Sequence, residues 1–317
     1  MKIKAIGLVS GGLDSMIATK LMLDLGIDVN LVIFSSPFFH GKLVGKESID
    51  FMGLKATVIE LKDDYFDIIK NPEYGYGSGA NPCIDCKIYM FKEAAKIMEQ
   101  KKASFIFTGE VLNQRPFSQT KNFMQLIEKK AGLKGRILRP LSAKLLEPTI
   151  PEIEGIVDRE KLLGISGRQR KQQLALAESL GIVGFSQPAG GCLLTDPIYA
   201  KKLKELFSKR PDSTINDAEL IKHGRVFWHN DVIIVIGRNK DENKILSMLA
   251  KKDDFIIYPK NVPGPFCVVR GKKIENESLD YAKRQLLFYT NKGPPQFKVK
   301  RVGKKNEQKQ KNMGEQE

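Results

Sequence analysis

Short apolar runs separated by helix-period patterns fill the first 200 residues. Runs at 3–9, 29–34, 56–61 and 105–108 have the length and composition of buried strands. Between them apolar residues recur at helical spacing. Leu13, Ile17, Leu21 and Leu25, stopped by Gly26, form one such stripe, and 89–98 forms another. Repeated strand–helix units predict an α/β fold built on a doubly wound parallel sheet, with ligands at the carboxyl ends of its strands. The segment 71–82, rich in Gly, Pro, Asn and Tyr, reads as a loop. Residues 140–167 are punctuated by Pro and Gly and read as a transition, and 168–180 predict one more helix.

The pattern changes near Thr214. Candidate strands at 225–228, 232–237, 255–258 and 266–270 enclose a helix at 241–250, with Asn239 or Asp241 as its cap. The expected organisation is a first domain over 1–200, a smaller α+β domain over 214–295, and a disordered basic tail over 296–317, where Lys, Gln and Asn dominate. The sequence contains no internal repeat.

Charge sharpens this division. The chain of 317 residues carries a formal net charge of +15. Residues 1–200 hold 26 basic against 22 acidic residues, whereas 201–317 hold 26 against 15, a net of +11. A polyanionic partner is expected on the second part. No run of about 18 apolar residues predicts a membrane span. The chain opens directly on a strand without a signal sequence, and its four cysteines are too few for a disulfide framework. A cytoplasmic protein without a membrane partner is the expectation.

The first strand ends in Ser10-Gly11-Gly12-Leu13-Asp14-Ser15. A Gly-Gly turn lets the backbone approach a ligand, and the helix behind it offers unpaired N–H groups and a positive dipole end that favour phosphate. Ser10 and Ser15 add hydroxyl donors, and Asp14 can hold the Mg²⁺ that accompanies a nucleotide. The lysine of the GxxxxGK[ST] loop is absent. A second constellation is cysteine-based. Asn81-Pro82-Cys83-Ile84-Asp85-Cys86 puts a Cys-x-x-Cys at the mouth of a helix, where the dipole would lower thiol pKa values. Cys192 follows Gly190-Gly191. Such a trio serves either of two chemistries. Cys83, Cys86 and Cys192 can ligate three irons of a 4Fe–4S cluster with the fourth iron open to a substrate sulfur. Alternatively, one thiolate carries a persulfide that another resolves as a disulfide. Zinc is disfavoured for want of a fourth ligand. Cys267, in an apolar strand, is expected in the core.

These residues resemble the PP-loop ATP pyrophosphatases, and among them the tRNA thiouridine synthases. The SGGLDS segment is similar to their ATP loop, and Asn-Pro-Cys-x-x-Cys to the 2-thiouridylase signature. Thr108-Gly109-Glu110, followed by Gln114 and Ser118-Gln119-Thr120, resembles the TGE…Q…SQT segment of the 4-thiouridine synthases, which Leu138-Arg139-Pro140-Leu141 extends. Residues 164–194 are similar to a thiolation-protein segment ending in the second cysteine. The 4-thiouridine synthases carry an N-terminal RNA-binding module with no counterpart before the first strand here. The central domain and β-barrel of the 2-thiouridylases are not evident either. Instead Gly237-Arg238-Asn239, Asn243, Leu246 and Pro263-Gly264-Pro265 are similar to the NFACT-type RNA-binding domain, and the Phe227-Trp228 pair suits an RNA-contacting module.

The resemblance implies an adenine-nucleotide hydrolase-like fold and ATP-dependent thiolation of a tRNA uridine through an adenylated base. The implied cofactors are ATP and Mg²⁺, with a 4Fe–4S cluster if the first cysteine chemistry operates. The implied partners are tRNA and a sulfur donor, either a persulfide carrier or inorganic sulfide. Ser10, Gly11, Gly12, Leu13, Asp14 and Ser15 would hold the nucleotide. Gly109 and Glu110 would shape its pocket or that of the base, and Cys83 or Cys192 would deliver sulfur. Two other readings are an amidating enzyme acting on a small molecule, which leaves the cysteines unexplained, and a non-catalytic RNA-binding protein.

Overall fold

The computed structural model describes residues 3–40, 46–185, 192–290 and 295–303. The chain divides into two units, Met1–Pro197 and Ile198–Glu317.

The first unit follows the predicted alternation. β1 (Lys4–Leu8) leads into α1 (Leu13–Asp24), then β2 (Asp28–Ser35), β3 (Ser48–Phe51), β4 (Leu54–Glu60) and α2 (Asp63–Lys70). The long α3 (Cys83–Lys101) precedes β5 (Phe105–Thr108), α4 (Lys121–Lys130), β6 (Ile137–Leu138), α5 (Ile150–Ile153) and α6 (Lys171–Ser179). The strands form one sheet in the order β3-β4-β2-β1-β5-β6, with every pairing parallel except β3 with β4. The chain leaves β1 to one side for β2 and returns to its other side with β5. The carboxyl ends of β1 and β5 therefore border the topological switch point, where such sheets bind ligands. Leu13, Ile17 and Met22 of α1 pack with Phe105 and Phe107 of β5 in the core beneath that point.

The second unit begins earlier than the change of pattern near Thr214 suggests. α7 (Pro197–Lys209) buries Tyr199, Leu203 and Leu206, and the Tyr199 hydroxyl donates to the carbonyl of Ala218 in α8 (Ile215–Lys222) at 2.9 Å. Residues 198–213 thus belong to this unit rather than to a linker. After α8 come β7 (Arg225–His229), β8 (Val232–Ile236), α9 (Lys240–Leu249), β9 (Phe255–Pro259), β10 (Cys267–Arg270), α10 (Asn276–Leu287) and β11 (Phe297–Arg301). They form an antiparallel sheet in the order β11-β9-β10-β8-β7. Asn239 caps α9, accepting from the Glu242 amide at 2.9 Å. Arg270, fully buried, bonds Asp217 at 2.9 Å, Asp254 at 2.7 Å and the Leu249 carbonyl at 2.8 Å, tying α8 and the end of α9 to the sheet. Cys267 is buried in β10 as expected.

The expected tail over 296–317 is corrected at its start. Residues 297–301 are a strand because Phe297 and Val299 alternate onto the core face, while Lys298 and Lys300 face outward beside β9. The remainder of that expectation, 304–317, lies outside the described residues. Among the described residues no helix is long and apolar enough to cross a membrane.

Candidate functional site

The loop between β1 and α1 carries the Ser-Gly-Gly motif at the switch point. Gly11 has φ +73°, the left-handed region where a side chain is strained, and Gly12 is the N-cap of α1. The Ser15 hydroxyl donates to the Gly12 carbonyl at 2.7 Å and accepts from the Ser10 amide at 3.3 Å. It therefore holds the loop's shape from within, while Ser10 itself is exposed. The Leu13 side chain, grouped by its motif with the nucleotide ligands, is fully buried in the core, which leaves only its backbone at the loop. The first turn of the helix supplies the amides that suit an anion.

Asp14 is half-buried at that turn. Its Oδ2 accepts from Gln114 Nε2 at 2.9 Å, and its buried Oδ1 has no hydrogen-bond partner among the described residues. An orphaned carboxylate oxygen beside a phosphate-type loop fits a cation that accompanies the phosphates. Gly109, directly after β5, allows the close approach of this turn. A Cβ there would stand 2.5 Å from the backbone of Asp14 and Ser15.

Glu110 does not face a pocket with a free carboxylate. Lys87 and Arg139 both pair with it, Arg139 Nε at 2.9 Å, and Arg139 also pairs with Glu128. Burial alone would push this carboxyl up, but the two cations hold it at about 2. Glu110 is thus an ionised hub that fixes α3 and the segment after β6 to the end of β5. A cavity of about 500 Å³ lies beyond Arg139, against α4 and β6, and Asp14, Cys83 and Cys192 do not line it.

Cys83 opens α3, and its thiol donates to the Ser118 hydroxyl at 3.1 Å. Lys87, one turn later, donates to the Ser118 carbonyl at 3.2 Å. The segment from Thr108 to Thr120 therefore bridges three things. Gln114 touches Asp14, Ser118 touches Cys83, and Glu110 holds Lys87. Thr120 then caps α4. Two further bonds bring the Cys192 segment to the same side. The Leu193 amide donates to Phe38 just beyond β2 at 2.9 Å, and the Ala80 amide in the loop before α3 donates to the Leu194 carbonyl at 2.8 Å. Asp85 holds that loop from below, accepting from the Glu73 and Tyr74 amides at 2.9 and 3.2 Å. Gly190 and Gly191, singled out beside Cys192, lie outside the described residues.

The thiols differ from what a helix N-terminus alone would produce. Cys86 is buried one turn into α3, with its sulfur 3.0 Å from the Tyr65 hydroxyl, and burial pushes its pKa far up. Burial also pushes the Cys192 thiol up, with the nearby Cys83 adding to the effect. For Cys86, desolvation outweighs the dipole effect expected from sequence. Among the described residues no three His, Cys, Asp or Glu side chains form a group that could hold a metal ion. Cys83 and Cys192 lie close enough to act electrostatically on Cys86, whose own thiol faces the buried Tyr65 hydroxyl.

Sequence reasoning missed Lys87, Tyr65 and the hub role of Arg139. Lys87 carried one legible signal, its position four residues after Cys83 on the same helix face. Tyr65 lies in a different helix from the Cys86 it meets, and no local pattern pairs them.

Residues 1–145 match the family model described as thiamine biosynthesis protein (ThiI), and residues 224–317 match the NFACT protein RNA binding domain. No curated protein matches the chain. Among solved structures it is similar to a 4-thiouridine synthetase in complex with RNA and bound ATP. That match has 18% identity and a TM-score of 0.36, and covers 68% of this chain and 52% of that one, so the chain spans about half its length. It is also similar to a predicted subunit of tRNA methyltransferase from Methanocaldococcus jannaschii, at 15% identity and TM-score 0.34, covering 56% and 76% of the two chains. A third match is the C-terminal part of a fibronectin/fibrinogen-binding protein from Streptococcus suis, at 16% identity and TM-score 0.22, covering 69% and 75%.

Proposed function

From a ThiI-family domain followed by an NFACT-type RNA-binding domain, we propose that this chain is a tRNA sulfurtransferase that activates a uridine with ATP and replaces its carbonyl oxygen by sulfur. The observation that carries this reading is the bridge from Thr108 to Thr120, which links Asp14 of the nucleotide loop to Cys83 through Gln114 and Ser118.

The α1 amides and the Ser10–Ser15 loop would hold the ATP phosphates, with Asp14 Oδ1 as the ligand for Mg²⁺, whose charge neutralises the departing pyrophosphate. The uracil carbonyl oxygen attacks the α-phosphorus and pyrophosphate leaves. The base now carries AMP, a good leaving group in place of a poor one. A persulfide on Cys83, loaded by a carrier of sulfane sulfur, attacks the activated carbon through its terminal sulfur, and AMP departs with the oxygen. The Cys192 thiolate then attacks the inner sulfur on Cys83. The new sulfur stays on the base as a thiocarbonyl, and a Cys83–Cys192 disulfide forms, which a dithiol reductant reopens. Cys86 has no part in this scheme. Its buried thiol against Tyr65 does not fit an iron-ligand set, and no step is routed through a cluster. The target base must leave its stack to reach such a site.

The test combines unmodified tRNA, ATP and a persulfide carrier with the purified protein, followed by mass spectrometry of the nucleosides. Thiouridine should form with release of pyrophosphate. Cys83→Ala and Cys192→Ala should abolish it, whereas Cys86→Ala should keep most of it. Inactive Cys86→Ala, together with absorbance near 400 nm in anaerobic wild type, would favour the cluster chemistry. The matched family's description also names thiamine biosynthesis. The match at 224–317 favours RNA over that small-molecule reading, and an enzyme that thiolates no tRNA would reverse the preference.

A further inference from the structure

β7 is an outer strand of the second sheet, and its residues alternate between two faces. That alternation splits the Phe227-Trp228 pair. Phe227 lies 6.3 Å from the ring of Tyr289, just past α10, and His229 lies 5.4 Å from Tyr281 within α10. Trp228 points the other way, under Lys209 Nζ at 5.1 Å. On the Phe227 side two guanidinium groups join the rings. Arg225 stacks 4.1 Å from the centre of Tyr289, and Arg284 lies 5.8 Å from that of Tyr281. The four rings are half-buried, and beside Tyr289 the Phe288 side chain is 78% exposed.

This strip lies at the rim of a core already closed by Ala282 and Leu286 against Cys267 and Val269. An apolar protein partner would leave the guanidinium groups without a role, and an acidic peptide would leave the rings without one. Unpaired nucleotides use both. Their bases stack on rings and guanidinium planes, and their phosphates take the positive charge. The net +11 of residues 201–317 supplies that complementarity. We propose that the face formed by β7 and α10 is a stacking platform for unpaired nucleotides of RNA, a statement that rests on the RNA-binding reading of residues 224–317. Paired bases hide their faces, so the platform discriminates single strands from duplex.

The full-length protein is titrated at three salt concentrations with an unstructured RNA oligonucleotide and with a duplex of equal charge. Wild type should prefer the single strand. Phe288→Ala, and the paired change Tyr281→Leu with Tyr289→Leu, should weaken single-strand binding roughly five-fold or more with an unchanged salt slope. Arg225→Gln with Arg284→Gln should flatten the slope. Unchanged thermal midpoints would show that each variant is folded, and Phe288→Ala, altering an exposed side chain, keeps the test open if the tyrosine pair is not. Equal binding of single strand and duplex, or full affinity in the aromatic variants, overturns the platform and leaves the RNA reading standing. A wild type that binds neither RNA overturns the RNA reading itself.

Discussion

Glu110 shows how a residue picked out by its motif can act through its partners. The carboxylate neutralises Lys87 and Arg139, one from α3 and the other from just beyond β6. With its pKa held at about 2 against an ordinary 4.5, it contributes about 3 kcal/mol of stability at neutral pH. Because the folded value lies below the unfolded one, that contribution is complete above pH 4.5 and is lost as pH falls toward 2. Glu110→Gln would leave Lys87 without a carboxylate and Arg139 with Glu128 alone, and should cost about 3–5 kcal/mol at pH 7. Urea unfolding of wild type and variant at pH 7, 4.5 and 3 checks this, and the gap between them should narrow at the lowest pH. The cysteines make a similar point. Cys83 and Cys86 sit three residues apart in one motif, yet the half-buried Cys83 meets the Ser118 hydroxyl and the buried Cys86 meets Tyr65.

At the level of elements, two contacts decide whether each unit holds its site. In the first unit, the turn that starts α1 lies so close to the end of β5 that position 109 has no room for a Cβ. Gly109→Ala should force the two apart at a cost of about 1–3 kcal/mol and weaken ATP binding at least as much. Calorimetric titration of ATP against the variant tests this, and wild-type affinity would mean the turn yields freely. In the second unit, Arg270 is the buried pin between α8 and the sheet. Burial would raise the Asp217 carboxyl, but Arg270 and Lys251 hold it at about 2. Arg270→Met leaves Asp254 buried without its counter-charge and Asp217 with Lys251 alone, and should destabilise this unit by about 3–5 kcal/mol. The single tryptophan, Trp228 in β7, reports that unfolding by fluorescence, while ATP binding by the first unit should persist.

For the whole molecule, charge and chemistry are divided between the units. The Ser10–Ser15 loop and Cys83, Cys86 and Cys192 belong to Met1–Pro197, whereas most of the net positive charge belongs to the rest. A protein ending at Pro197 should bind ATP as the full chain does and lose most of its affinity for tRNA. In the full chain that affinity should fall steeply with salt, because each ion pair to a phosphate releases counterions. Titrations of both proteins at several salt concentrations measure this. Equal affinities would mean that the first unit recognises tRNA without help.

The strand–helix alternation of the first unit, the Gly-Gly turn after β1 and the charge division were legible in the chain, because each is written in contiguous residues. A 2-residue or 3.6-residue period, a Gly-Gly turn behind an apolar run, and a count of lysines need no knowledge of distant partners. The short β6, the antiparallel β3 and the five-residue β11 escaped that reading because neighbouring strands, rather than strong local preference, hold them in the sheets. The site divides along the same line. Asp14 and Cys83 stood out through their motifs, but Gln114 to Asp14 spans 100 residues and Arg139 to Glu110 spans 29. Burial, which overrides the helix dipole at Cys86 and pushes the Cys192 thiol up, exists only once the chain has folded around them. Local chemistry can be named from sequence, but packing decides which of those groups remains free to act.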